Sequence, residues 1–185
     1  MDKKYSFELK RKLIHLISII LVFISLSLSY NKILSLLPIL IILFFSLIFE
    51  YLRIKKVKIP IYSSFFREKE KNRLGGHIYY LIGIFLVLLF FNFDIAFVSI
   101  LMLVFGDTTA TLVGMRFNKL KKTNEGTIAE LIVNIIIGII FLPYMIAIPM
   151  AIMATITEYF TKRINDNIAI PIVASLTGQI MRLIL

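Results

Sequence analysis

The chain has 185 residues, carries a net charge of +10, is 59% hydrophobic and has a mean hydropathy of +0.90. Soluble domains are about 45–50% apolar, so this composition excludes an ordinary water-soluble globule and points to a polytopic membrane protein. The absence of cysteine excludes disulfides and thiolate metal centres, and no Pro-, Gly- or Ser-rich linker divides the chain, which reads as one integral-membrane domain over residues 1–185.

Seven apolar stretches approach the roughly 20 residues needed to cross a bilayer. The first, Leu13–Ser29, follows a basic start of the kind that opens a signal peptide. No small-residue cleavage site follows Tyr30 and a second span begins at once, so the stretch reads as a transmembrane helix. At its entry, Glu8, Arg11, Lys12 and, within the span, His15 fall at i, i+3, i+4 and i+7 and give one polar face entering the membrane. Arg11 and Lys12 suit phosphate, while His15 suits a buried, hydrogen-bonded role ahead of a catalytic one. The second span is Ile33–Leu52. The charged loop that follows it ends in Gly75–Gly76 and reads as solvated, with Arg73 and His77 at its border with the third span, Leu74–Phe91.

The fourth span, Ile95–Val113, runs into the most informative segment, Phe105 to Lys122. An ionisable residue at membrane depth is costly and by default marks a site. Asp107, Thr111 and Gly114 fall at i, i+4 and i+7 on one helical face, with Gly106 and Thr108 beside them. Asp107 is expected to sit at a break in the span, to cap a short helix, and to act as a hard oxygen ligand suited to Mg²⁺. Lys119, Lys121 and Lys122 follow, suited to a polyphosphate but also to a solvated loop.

The fifth span, Ile128–Leu142, is preceded by Glu125, Gly126 and Thr127. Thr127 with Glu130 has the spacing of a capping box. The sixth span, Tyr144–Phe160, closes on Glu158, and Asn165–Asp166–Asn167 opens the seventh, Ile168–Leu185, with Pro171 expected in its first turn. Asp166 is thus a second carboxylate available to the end of the molecule that holds Asp107.

Charge sets the orientation. Nineteen Lys and Arg fall in loops on one side of seven spans and two, Lys32 and Arg182, on the other. The positive-inside rule then places the N-terminus in the cytoplasm and the C-terminus outside. Ten of the eleven acidic residues lie on or near the same cytoplasmic side, and the outer connections are short and nearly featureless. Charged chemistry therefore belongs to the cytoplasmic face. Nucleic-acid binding is excluded because no basic patch is interleaved with aromatics on a soluble module. The richness in Ile, Lys and Asn suggests a prokaryotic cell membrane, and small-xxx-small pairs are too sparse to assign an oligomeric state.

Four groups of residues together carry a resemblance: Arg11–Lys12 with His15, the GD-T-x-A-x-x-x-G run at 106–114, K-T-x-E-G-T at 122–127, and Glu158 with D-N-x-x-I-P at 166–171. In this order, over essentially the whole chain, they resemble the CTP-dependent polyprenol kinase family, which comprises dolichol kinase, CTP-type diacylglycerol kinase and phytol kinase and is related to phosphatidate cytidylyltransferases. The resemblance implies transfer of the CTP γ-phosphate to a membrane lipid alcohol at the cytoplasmic face, with Mg²⁺ or another divalent ion. Arg11, Lys12, Asp107 and Gly114 match positions needed for activity; Lys122, Glu125, Gly126, Asp166 and Asn167 match further motif positions. In the working site Asp107, Lys122, Glu125 and Asp166 are catalytic, and Asp107 and Asp166 hold the metal. Arg11, Lys12, Gly106, Thr108, Thr111, Gly114, Lys119, Gly126 and Asn167 surround the nucleotide. Glu125, Glu158 and His15 are the candidate bases for the acceptor hydroxyl. Asn165 stands where some members carry a second aspartate, which removes one candidate metal ligand. Two other readings predict different products: a cytidylyltransferase would release pyrophosphate and form a CDP-lipid, and a transporter or scaffold would turn over no nucleotide.

Overall fold

Apolar runs of this length satisfy their backbone in lipid by coiling into helices. The computed structural model describes residues 3–57, 73–117, 122–161 and 164–185, and among these it is helical, with no strand. The helices are α1 (Lys3–Ser27), α2 (Lys32–Ile54) and α3 (Gly76–Phe90), then α4 (Phe93–Leu101), a π-helical turn (Met102–Gly106) and α5 (Asp107–Arg116) in one continuous rod. They are followed by α6 (Asn124–Phe141), α7 (Tyr144–Phe160) and α8 (Asp166–Ile184). Each of the seven apolar stretches corresponds to one rod, with ends shifted by a few residues except in α1, which starts well before its apolar stretch. Four rods are long and apolar enough to cross a membrane: α2, the α4–α5 rod, α6 and α8. The apolar α3 and α7 are shorter, at 15 and 17 residues.

The α4–α5 rod is the centre of the bundle. Two-thirds (67%) of its apolar window is buried, against 22% for α2, and Ile95, Ile100, Met102 and Leu103 are among the largest fully buried side chains. Helix α6 shows how the sequence directs packing in such a molecule. Its outer face is Ile128, Ile132, Ile136, Ile139 and Ile140, all exposed, whereas its buried face is Gly126, Glu130, Asn134, Ile137 and Gly138. Where the surroundings are as apolar as leucine, small and polar residues face inward because packing and hydrogen bonding drive helix association.

Two polar ends result. At one, the beginnings of α3, α6 and α8 meet α5, the first half of α1 and the end of α7, through Lys12–Asp107, Lys122–Glu158 and Asn167–Gly76 contacts. At the other, Arg182 pairs with Asp94, and Gln179 Oε1 accepts from the Asn92 N–H at 3.3 Å. That second end is less featureless than the sequence suggests. Near the first end, the buried Glu50 carboxylate takes both Nε and Nη2 of Arg53 (2.9 and 2.7 Å) and the Gly75 N–H (2.6 Å), which ties the end of α2 to the start of α3.

Pro171 lies inside α8, beyond its first turn, because that helix begins at Asp166. Proline lacks the N–H that would bond the carbonyl four residues back, here that of Asn167. That carbonyl faces Gly83 of α3, where an added Cβ would lie 2.3 Å from the oxygen.

Candidate functional site

The site is organised by the π turn. A π turn carries an extra residue relative to α geometry, and such turns recur at functional sites. The Asp107 N–H bonds back to the carbonyls of Leu103 and Val104, and the rod continues without a break through Arg116. The expectation that Asp107 caps a short helix is therefore corrected. Its carboxylate is not turned on the backbone but accepts from Lys12 Nζ of α1, 95 residues away. The two side chains are only 7% and 17% exposed. Thr111 and Gly114 share the helix with Asp107 as expected, but the Thr111 hydroxyl bonds the Asp107 carbonyl (2.8 Å) and Gly114 is buried.

Around this pair, Arg11 turns to Glu8 on its own helix (2.8 Å), while its charge still acts on Asp107. His15 stacks on Tyr80 of α3, with ring centroids 4.6 Å apart and planes at 20°, and Ser18 Oγ lies 2.6 Å from the Tyr80 hydroxyl. His15 is thus a packed, buried histidine, near enough to Asp107 to feel its charge.

A second ion pair joins Lys122 to Glu158 at the end of α7. Lys122 Nζ lies 3.3 Å from Glu158 Oε1 and also donates to the Glu158 carbonyl. Glu158 in turn senses the charges of Asp107 and Asp166. Asp166 opens α8, where its Oδ1 and that of Asn165 both accept from the Asn167 N–H at 3.1 Å. The Asn167 side chain donates to the Gly76 carbonyl at 3.2 Å. Glu125 lies in the first turn of α6 and is exposed. Gly126 brings α6 against α5: an added Cβ would stand 2.8 Å from the Ala110 carbonyl. Lys119 and Lys121 lie outside the described residues.

The capping box is also corrected. Helix α6 starts at Asn124, and Thr123 is its cap, accepting from the Gly126 N–H at 3.0 Å. Thr127 bonds back to the Thr123 carbonyl. Glu130 is released from that role and is buried, 1% exposed, against the π turn. A Cβ at Gly106 would stand 3.1 Å from Glu130 Cγ and 2.5 Å from Asn134 Oδ1. Asn134 donates to Thr155 Oγ1 of α7 at 3.2 Å. Neither oxygen of Glu130 has a hydrogen-bond partner, and neither have Asn134 Oδ1 and Thr108 Oγ1. Glu130 senses Glu158, Asp107 and Lys122, so it belongs to the same electrostatic unit.

The sequence reading missed this inner layer of Glu130, Asn134 and Thr155, along with Tyr80. The signal was there: a carboxylate and an asparagine at i, i+4 within an isoleucine-rich span. Attributing Glu130 to a cap concealed it. Among the described residues no three His, Asp or Glu side chains gather closely enough to hold a metal by themselves.

No family model matches the chain, and no solved structure matches it. It is similar at 47% identity over 53 residues to CTP-dependent diacylglycerol kinase 1 of Schizosaccharomyces pombe, covering 29% of this chain and 24% of that protein. The Eremothecium gossypii protein of the same name is 31% identical over 86 residues, 43% of this chain and 27% of the other. The likeness to these kinases is therefore local, about a quarter of each of them. RP860 of Rickettsia prowazekii, an uncharacterized protein, is 30% identical over 201 aligned positions that cover 98% of both chains. The chain, with its carboxylates and lysines gathered at one end of an apolar helical bundle, belongs to the same family as RP860.

Proposed function

We propose that the chain is a membrane-embedded kinase that transfers the γ-phosphate of CTP to a lipid alcohol of the polyprenol, geranylgeraniol or diacylglycerol class. The observation that carries this reading is the buried Lys12–Asp107 pair, with the more exposed Lys122–Glu158 pair at the same end of an apolar bundle whose chain is locally similar to CTP-dependent diacylglycerol kinases. Phosphoryl transfer needs mainly positioning and electrostatic stabilisation. Two lysines, with Arg11 close by, supply positive charge where phosphate charge develops. Each lysine is already engaged by a carboxylate, so an incoming polyphosphate competes with Asp107 and Glu158 for these cations and leaves the carboxylates available.

The donor set fits Mg²⁺, which keeps much of its water and needs only one or two protein carboxylates when phosphate oxygens complete its shell. Asp107 and Asp166 would hold it. The ion would supply charge neutralisation on the transferring phosphoryl group. The 19-to-2 distribution of basic residues supports seven spans with the N-terminus inside and with this end at the cytoplasmic face. The lipid tail then lies among the helices with its hydroxyl at the boundary.

The test is a product assay with purified protein, Mg²⁺, γ-labelled CTP and a panel of lipid alcohols, repeated with ATP. Label in the lipid with CTP is the expected result, and it should vanish in Asp107→Asn while that variant stays folded. Pyrophosphate release with a phosphatidate acceptor would replace the kinase by a cytidylyltransferase. Absence of both products from folded protein would refute nucleotide chemistry.

A further inference from the structure

Helix α2 is the least buried of the four long rods, and its buried residues are Ser35, Leu36, Ile39 and, near its end, a carboxylate, Glu50. Glu50 and its partner Arg53 have side chains only 1% and 8% exposed. Replacing a buried ion pair by apolar residues of similar volume often costs nothing, because both ions lose hydration on burial. Stability is therefore a poor reason for this carboxylate, and its geometry offers a better one. The Arg53 fork takes both oxygens, at 2.9 and 2.7 Å, and the same Nη2 donates to the Arg73 carbonyl at 2.6 Å. Held in this way, Glu50 Oε1 accepts from the Gly75 N–H at 2.6 Å.

Gly75 is the residue before the first turn of α3, and it has no side chain with which to cap that helix. In a capping box the carboxylate of the third helical residue returns to the N–H of the cap. In α3 that third residue is Ile78, and Glu50 supplies the carboxylate from another helix. The next residue, Gly76, gives its carbonyl to the Asn167 side chain at 3.2 Å. Two turns further on, Gly83 lets the Asn167 carbonyl approach, where a Cβ would stand 2.3 Å from the oxygen. One buried residue of α8 is thus gripped twice by the helix whose start Glu50 closes. Asp166 adjoins it and accepts from its N–H at 3.1 Å.

We infer that Glu50, held by Arg53, is a positioning residue for the catalytic end: it fixes the start of α3 and, through Gly76 and Asn167, sets the place of Asp166. This rests on the kinase reading, in which Asp166 holds the metal, and adds to it a residue that touches neither substrate nor ion. What Glu50 supplies to Gly75 is an acceptor. An uncharged acceptor of the same length should serve, provided the Arg53 charge is removed with it.

The experiment compares wild type with two double variants as detergent-purified full chains, Glu50→Gln/Arg53→Met and Glu50→Leu/Arg53→Met. Both lack the buried charges and the bond to Arg73; they differ in whether residue 50 can accept from Gly75. Two readouts are taken well below the melting temperatures: hydrogen exchange of residues 73–80 and 164–170 without Mg²⁺, and CTP-dependent lipid phosphorylation against Mg²⁺ concentration. The Gln form should stay within about twofold of wild type in its Mg²⁺ requirement and lipid KM. The Leu form should exchange faster in both segments. It should need on the order of 10-fold more Mg²⁺ for half-maximal rate, as when the groups that orient a metal ligand are removed. Its KM for the lipid alcohol should stay within about twofold. A purely structural loss lowers the amount of folded enzyme and moves neither constant.

An unchanged Mg²⁺ requirement in the Leu form overturns the inference, as does an equal shift in the Gln form. Faster exchange confined to residues 73–80 overturns it too, since the start of α8 would then not depend on that of α3. Should the Leu form not accumulate, Glu50→Asp takes its place, with a shorter carboxylate that keeps Arg53 and withdraws from Gly75. An unchanged Mg²⁺ requirement there is equally fatal. An active wild type with a Leu form that behaves like it refutes this assignment alone. A wild type that phosphorylates no alcohol refutes the kinase reading and this assignment with it.

Discussion

The pairing of Lys12 with Asp107 makes a quantitative prediction. Replacing Lys12 by Met leaves a carboxylate 17% exposed without its cation, and Asp107→Asn leaves a lysine 7% exposed without its anion. At an effective dielectric of about 20 the attraction between unit charges near 4 Å is about 4 kcal/mol. Each charge also loses several kcal/mol of hydration on burial, which the partner offsets. Breaking either half should therefore cost about 3–5 kcal/mol. The double variant removes both buried charges and should recover most of that loss, falling within about 2 kcal/mol of wild type. The cycle would then show a coupling of several kcal/mol, far above the roughly 0.3–0.5 kcal/mol expected for sites that do not interact. Reversible unfolding in mixed micelles, followed by helical circular dichroism on all four proteins, measures it. Additive single effects would refute the claim that these residues, 95 positions apart, form one buried pair.

Two further outcomes follow from the packing. Gly83→Ala places a methyl 2.3 Å from the Asn167 carbonyl that Pro171 leaves without its helical partner, where backbone must yield. It should destabilise the bundle by about 1–3 kcal/mol, and unchanged thermal stability in detergent would refute the close approach of α3 and α8. At the opposite end, Arg182→Ala and Asp94→Ala remove a largely solvated pair and should each alter stability by less than about 1 kcal/mol. Lipid phosphorylation should be unaffected by either, and its loss would contradict the separation of the two ends.

Hydropathy and charge located each rod and gathered the acidic and basic residues at one end, because membrane helices are set by length and by a strong apolar signal. Lys12 and Asp107 were both singled out, yet their direct pairing spans α1 and α5 and no local spacing encodes it. The π turn was hidden for a related reason. It alters winding without altering the apolar run, so Met102–Gly106 reads the same with or without it. Glu130 was hidden by a rival local motif: Thr127 and Glu130 have capping-box spacing, but Thr123 starts the helix one turn earlier and draws Glu130 into the core. Thr155 and Tyr80 carried no sequence signal, since a lone hydroxyl in an apolar helix is ordinary.

The π turn gives the central rod two separate rulers, one counting membrane thickness and the other counting rotation. Were the same residues wound as α throughout, everything after the turn would swing by one residue's step, about 100°. Asp107, Thr111 and Gly114 would then rotate together away from α1, although the rod would cross a bilayer as well as before. Conversely, the turn is where one residue can be gained or lost while the faces of α4 and α5 stay in phase. Length variation among relatives in this span should therefore concentrate at residues 102–106, where it leaves the contact with Lys12 intact.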